Sequence, residues 1–214
     1  SKDKIEGTRR GGDSEIYPNV DWYNDLFKSS VTNYKANVSA SGGGDVAQYY
    51  LSVAYTNEKG LLKVDNLNNF NNNIDIKRYN IRANVDFNFT KTTKGAVKVY
   101  SLLDQYNGPA TEANDIFNSV MNANPVNFPK YYSKTGDNEY LSYTLFGNKG
   151  NGSYPNPYAD MVKGYKDRFT ATNQAQFQVE QDLSMLTKGL KLRGLASFNV
   201  YSKNESSRTF DPYY

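Results

Sequence analysis

Between residues 77 and 89 the chain sorts its side chains into two classes, one position at a time. The odd positions are Tyr79, Ile81, Ala83, Val85, Phe87 and Phe89; the even ones are Arg78, Asn80, Arg82, Asn84, Asp86 and Asn88. Successive side chains of a β-strand point to opposite faces, so this segment predicts a long strand with one apolar and one polar face. The same split recurs in four other segments. Residues 33–41 set Tyr34, Ala36, Val38 and Ala40 against Lys35, Asn37, Ser39 and Ser41, and residues 48–57 set Tyr49, Leu51, Val53 and Tyr55 against Gln48, Ser52 and Thr56. Residues 165–183 carry Phe169, Ala171, Ala175, Phe177 and Val179 on one side, with Lys166, Arg168, Gln174, Gln176, Glu180 and Asp182 on the other. In 189–202, Leu190, Leu192, Ala196, Phe198 and Val200 face Lys191, Arg193, Ser197 and Asn199. A sixth segment, 94–103, alternates less cleanly, because Tyr100 and Leu102 fall on the same side as Lys98.

The connections alternate in length. Gly42–Asp45, Thr90–Thr93 and Met185–Lys188 are short turns, whereas 58–76 and 104–164 are long. Antiparallel up-and-down strands, with short turns at one end and long loops at the other, are the pattern of an outer-membrane β-barrel wall. Ten residues at about 3.3 Å each, tilted near 45°, rise roughly 23–25 Å, the height of such a barrel's apolar band. The all-β reading is thus part of a transmembrane β-barrel. Its competitor is a secreted β-sandwich acting as a glycan-binding or adhesin-like module, in which the apolar face would meet a second sheet.

Two stretches break the two-residue period. Asp21–Lys28 reads as a short helix capped by Asp21, with Trp22 and Leu26 on one face. Glu112–Met121 reads as another, with Ile116 and Val120 on one side and Pro125 beyond its end. The expected organisation is a loop with a short helix over 1–32, four strands over 33–103, a long extracellular loop over 104–164, two strands over 165–202 and a final loop over 203–214.

Composition narrows the chemistry. The 214 residues contain 0 Cys and 0 His, which removes thiol nucleophiles, imidazole bases and zinc sites. A net charge of +3 is too balanced for a nucleic-acid binder. The 19 Tyr, 11 Phe and 27 Asn fit turn-rich β structure with polar, aromatic surfaces. The first residues, Ser1-Lys2-Asp3-Lys4, hold neither Met nor an apolar signal, and the chain reads as a segment of something longer.

Tyr131, Tyr132, Tyr140, Tyr143, Tyr154 and Tyr158 crowd the longest loop beside Asn and Gly, a composition suited to stacking on a ligand or partner or to holding the loop together. Trp22 joins them as a candidate contact, with anchoring of its helix as the favoured alternative. The alternation Asn69, Asn71, Asn73, Asp75 imitates a calcium loop but lacks the central Gly and the terminal Glu, so neither metal nor other cofactor is expected. Arg78, Arg82, Asp86, Lys166, Arg168 and Glu180 share the polar face, which lines the lumen if the strands belong to a barrel. No pattern here signals an enzyme.

Several motifs, taken in order, resemble the early barrel of SusC-like TonB-dependent transporters. They are Pro18-Asn19-Val20-Asp21-Trp22-Tyr23-Asn24-Asp25-Leu26-Phe27, Asn33-Tyr34-Lys35-Ala36-Asn37-Val38-Ser39, the Gly42–Asp45 turn, Tyr49-Tyr50-Leu51-Ser52-Val53-Ala54-Tyr55, and Lys77-Arg78-Tyr79-Asn80-Ile81-Arg82-Ala83-Asn84-Val85-Asp86. The later Gln181-Asp182-Leu183 and Lys188-Gly189-Leu190 resemble a following hairpin. The resemblance implies about six strands of a 22-stranded barrel in the bacterial outer membrane. It also implies the partners of such a protein: the rest of the barrel and its plug, lipid, a capping SusD-like lipoprotein, and TonB through an N-terminal region absent from this chain. The implied activity is import of oligosaccharides or peptides.

Overall fold

The Asp75–Asn88 segment extends as a strand because its β-branched and aromatic residues fit a pleated surface and every second one needs an apolar environment. A computed structural model describes residues 2–149 and 154–214 and joins six such strands into one antiparallel sheet. They are β1 (Tyr34–Gly43), β2 (Ala47–Lys59), β3 (Asp75–Asn88), β4 (Thr93–Pro109), β5 (Gly164–Asp182) and β6 (Lys191–Thr209). The sheet order is the chain order, so each strand pairs with its sequence neighbour. Register keeps the apolar positions together: Tyr49 lies opposite Val85, Val85 opposite Val97, Val97 opposite Phe177, and Phe177 opposite Ala196.

The short turns are built for tightness. Gly43 has φ +148°, and a Cβ there would stand 2.4 Å from the Ala47 carbonyl oxygen, so only glycine closes the first hairpin. In the second, the Thr90 hydroxyl oxygen accepts from the Thr92 and Thr93 N–H groups at 3.2 and 2.9 Å. The third closes with the Leu183 N–H donating to the Leu190 carbonyl.

The strands run farther than the alternation predicts at the long-loop end. β4 continues through Asp104–Pro109 and β6 through Lys203–Thr209, where both faces are polar and no two-residue period is visible. The ladder persists there because backbone pairing needs no apolar side chain, and polar pairs reinforce it, such as Asn107 Nδ2 donating to Asp167 Oδ1 at 2.5 Å. The long connections therefore span 60–74 and 110–163 instead of 58–76 and 104–164.

Nothing among the described residues covers the apolar face. Val38 is 74% exposed and Phe198 63%, with Leu51, Val53, Ile81 and Phe177 also open. A sandwich would bury these side chains under a second sheet. The described residues form a single sheet and supply no second one for a sandwich, so one face of the sheet is apolar and none of the described residues covers it.

The buried core lies in a cap of connecting segments at one end. Helices α1 (Lys2–Arg9), α2 (Trp22–Leu26), α3 (Ala113–Asn122) and α4 (Pro157–Val162) belong to this cap. Asp21 caps α2 by accepting from the Asn24 N–H at 3.1 Å, and its pKa is held low by hydrogen bonding to Asn24. Trp22, Leu26, Leu62, Ile116, Val120, Phe128, Phe146, Tyr158 and Met161 pack into one cluster. The Trp22 ring meets Phe128 edge-on at 5.7 Å. Short bridges tie distant segments together: Phe27 with Leu62, Tyr131 with Phe146, and Leu145 with Tyr213.

An uncovered apolar face and two unpaired sheet edges dictate how the chain behaves in water. Expressed without detergent, it is expected to aggregate and to give no monodisperse 24.2 kDa species on size-exclusion chromatography. In detergent micelles it should elute as one species with a β-rich circular dichroism spectrum. A cooperative, monodisperse monomer in plain buffer would overturn this expectation.

Candidate functional site

Asn156 organises the cap's interior. Its carboxamide is fully buried, its Oδ1 accepting from the N–H groups of Tyr158 and Ala159 to cap α4, with Pro157 in the first helical turn. Its Nδ2 donates to the Lys130 carbonyl at 2.8 Å and the Gly147 carbonyl at 2.9 Å. One side chain thus locks three parts of the 110–163 connection together.

Around this lock the cap carries two clefts that share Leu67, Lys134 and Thr144. The first, about 300 Å³, is lined by Tyr131, Tyr132, Tyr158 and Asp65 among others. The second, about 400 Å³, is lined by Tyr143, Phe146, Phe210 and Tyr213. Tyr143 and Tyr213 stand 4.2 Å apart between centroids, which brings the C-terminal residues to the second cleft. Rings beside amides and one ammonium are suited to apolar contact and hydrogen bonding together. Phe210 and Tyr213 were not singled out in the sequence; the aromatic ending Phe210-Asp211-Pro212-Tyr213-Tyr214 was the available signal.

The structure divides the predicted aromatic residues. Trp22, 3% exposed, and Tyr158, 4% exposed, pack in the buried cluster, Trp22 on the helix it anchors and Tyr158 at the inner edge of the first cleft. Burial, then the hydrogen bond to Asp65, pushes the Tyr158 hydroxyl pKa upward. Tyr131, Tyr132 and Tyr143 line the clefts. Tyr140, 82% exposed, and Tyr154, under Lys149 Nζ at 5.4 Å, lie outside them.

The Asn-rich connection bonds to itself. Asn72 Oδ1 accepts from the Asp65 N–H and its Nδ2 donates to the Lys63 carbonyl, while Asn73 Oδ1 accepts from the Ile74 N–H. Those oxygens serve the local backbone, and among the described residues no cluster of three or more acidic, His or Cys side chains gathers for a metal.

The register places Arg78, Arg82, Asp86, Lys166, Arg168 and Glu180 on one face of the sheet. Arg78 bridges Asp104 at 2.6 Å and Glu58 at 3.1 Å. Lys166 meets Glu112 at 2.5 Å, and Glu180 takes both Lys191 and Arg193. Arg168 and Arg82 lie over the rings of Tyr106 and Tyr100 at 5.0 and 5.7 Å. Asp86 lies opposite Gln48 and Ala96.

No family model matches the chain. It is 28% identical over 169 residues to TonB-dependent receptor P26 of Formosa agariphila, an alignment covering 78% of this chain and 15% of that protein. It is 25% identical over 202 residues to TonB-dependent receptor P3 of the same organism, covering 91% of this chain and 18% of that protein. The chain spans less than a fifth of the length of these curated relatives and is similar to a segment of each.

Two outcomes test the cap. In detergent, Asn156→Ala should destabilise it by about 1–3 kcal/mol for each polar group left unpaired and shift the emission of Trp22, the chain's single Trp, to the red, with the sheet's circular dichroism retained. The raised Tyr158 pKa gives the second. Its contribution is fully present below the unfolded value of 10.0 and is lost as pH rises above it, so the Trp22 emission should shift red above pH 10. Tyr158→Phe should remove that alkaline component while leaving the neutral-pH spectrum near its starting position.

Proposed function

We propose that this chain is a block of wall near the start of the barrel of an outer-membrane, SusC-like TonB-dependent importer. One observation carries the reading: a six-stranded antiparallel meander with one apolar face that none of the described residues covers, a charged opposite face, and long connections packed into a cap at one end. A lipid bilayer is the environment that such an apolar face requires, because hydrocarbon replaces the missing second layer. The receptor names of the relatives support the same assignment.

In this reading the cap stands outside the cell. Tyr131, Tyr132 and Tyr143 of the clefts, with exposed Tyr140 and Tyr154, meet an oligosaccharide or peptide cargo or the SusD-like lipoprotein that delivers it. Arg78, Arg82, Asp86, Lys166, Arg168 and Glu180 face the lumen. TonB acts on the whole receptor, so pumping belongs to the whole protein. The wall contributes shape, charge and a contact surface, and no covalent step.

The orientation is tested by paired substitutions in the intact protein. Val85→Arg, on the apolar face, should cost about 2–4 kcal/mol if it lies near mid-membrane and should reduce the folded protein recovered from outer membranes. Asn84→Arg, one residue away on the opposite face, should leave recovery near wild type. An epitope inserted in the exposed turn Gly136–Asn138 should be readable by antibody on whole cells. Equal damage from both arginines, or a tag readable only from the periplasm, would sink the assignment.

A further inference from the structure

The two ends of the sheet finish differently. At the cap end, β4 and β6 run on through Asp104–Pro109 and Lys203–Thr209, where both faces are polar. At the opposite end the apolar face continues into the short turns. Phe89, just past β3, is 62% exposed and stacks on Phe87 with the rings 5.7 Å apart. In the third hairpin Gln181 lies opposite Leu192, and the Leu183 N–H donates to the Leu190 carbonyl, so Leu183 and Leu190 extend the ladder by one step on the apolar side. From Leu190 through Leu192, Ala196 and Phe198 to Val200, the apolar positions alone fill the roughly 23–25 Å band of a membrane wall. The lower edge of that band therefore falls at the turn itself.

The turn is closed by its own hydrogen bonds. Asp182 Oδ1 accepts from the Ser184 N–H at 2.8 Å and from the Ser184 hydroxyl. The Leu186 and Thr187 N–H groups donate to the Leu183 carbonyl, and the Leu190 N–H donates to the Thr187 carbonyl. Gly189, at φ +81°, turns the chain back into β6. None of these bonds uses the side chains at the tip, and Met185 and Leu186 are left 86% and 72% exposed. Met185 is more exposed than any other large hydrophobic side chain among the described residues. One apolar side chain on a surface is ordinary, but two at the tip of a closed turn, beside exposed Leu190 and Leu192, form a continuous apolar edge. Lys188, also exposed, lies on the same turn.

We propose that the Leu183–Leu190 turn is a phospholipid anchor, with Met185 and Leu186 set among acyl chains at the headgroup boundary and Lys188 against the phosphates. The occupant follows from continuity. On β6 the apolar row leads from Val200 to Leu190 without a polar step, so the medium that covers the row reaches the tip as well. A flexible lysine beside the tip suits that boundary, because its stem lies along hydrocarbon while its ammonium meets phosphate. The inference rests on the barrel-wall reading, in which the short turns point to the periplasm and the leaflet is the inner one of the outer membrane.

The test is depth-dependent fluorescence quenching. The chain holds 0 Cys, so Met185→Cys, Val85→Cys and Tyr140→Cys can each be made in the intact protein, freed of any other cysteine, and labelled with a polarity-sensitive fluorophore. The labelled proteins are folded into phosphatidylglycerol vesicles whose acyl chains carry bromine either near the headgroup or near the chain end. Tyr140, on the exposed surface of the cap, gives the emission in water. The Met185 label should emit to the blue of it and be quenched several-fold more by bromine near the headgroup than near the chain end. The Val85 label should be quenched more by bromine near the chain end. Lys188→Glu, which brings a carboxylate to the phosphates, should reduce quenching at Met185 and leave Val85 unchanged. Loss of quenching at Val85 would count against the wall itself. With Val85 quenched, the anchor is overturned by a Met185 label that emits like the Tyr140 label, the outcome if the turn stands in water or is reserved for a protein, or by quenching at Met185 indifferent to Lys188→Glu.

Discussion

Hydrogen bonding between neighbouring strands is the interaction on which the rest of this chain depends. Five antiparallel ladders join six strands in chain order, and among the described residues no second sheet packs on either face. In a soluble domain, a sheet is stabilised by burying one face against another element. Here the register does the complementary job: it aligns apolar side chains across the strands so that the whole face has one character. A slip of one residue in any ladder would turn that strand's Val, Ile and Phe to the polar side and its Arg and Gln to the apolar side. Pairing and patterning therefore constrain one another.

The cap follows from where the ladders stop. Four chain segments emerge together at the long-connection end, and their apolar residues have only one another to pack against. Leu26 and Trp22 from α2, Ile116 and Val120 from α3, and Met161 and Val162 from α4 meet above the sheet with Leu62, Phe128 and Phe146. Buried carboxamides hold the backbone between these helices. Asn156 and Asn72 each satisfy donors and acceptors on segments that have no ladder of their own. The abundance of Asn thus has a structural use: a short side chain with both a donor and an acceptor can stand in for secondary structure. The clefts of Tyr131, Tyr132 and Tyr143 are positioned by that scaffold, which gives exposed rings a fixed geometry for contact.

The two faces of the sheet and the cap are three different surfaces on one thin layer. The apolar face suits hydrocarbon and the cap presents aromatic clefts. On the polar face Arg78, Lys166, Lys191, Arg193 and Lys203 each pair with a carboxylate.

The two-residue alternation was sufficient to determine five of the strands, their antiparallel order and the direction each face takes, because burial on one side only leaves a period-two record in the residues. Helices α2 and α3 were legible for a similar reason: Asp21 caps one, Pro125 follows the other, and their apolar residues recur at helical spacing. The outer reaches of β4 and β6, at Asp104–Pro109 and Lys203–Thr209, left no such record, since both faces are polar there and backbone pairing is indifferent to side-chain polarity. Tertiary structure also decided which aromatic residues serve which purpose. The Tyr158 ring goes inward and the Tyr131 and Tyr143 rings stay exposed at the clefts, although the three look alike in the sequence. A ring's burial depends on which segments fold over it, and those segments arrive from 60–74, 110–163 and the C-terminus, distances along the chain that no local pattern encodes.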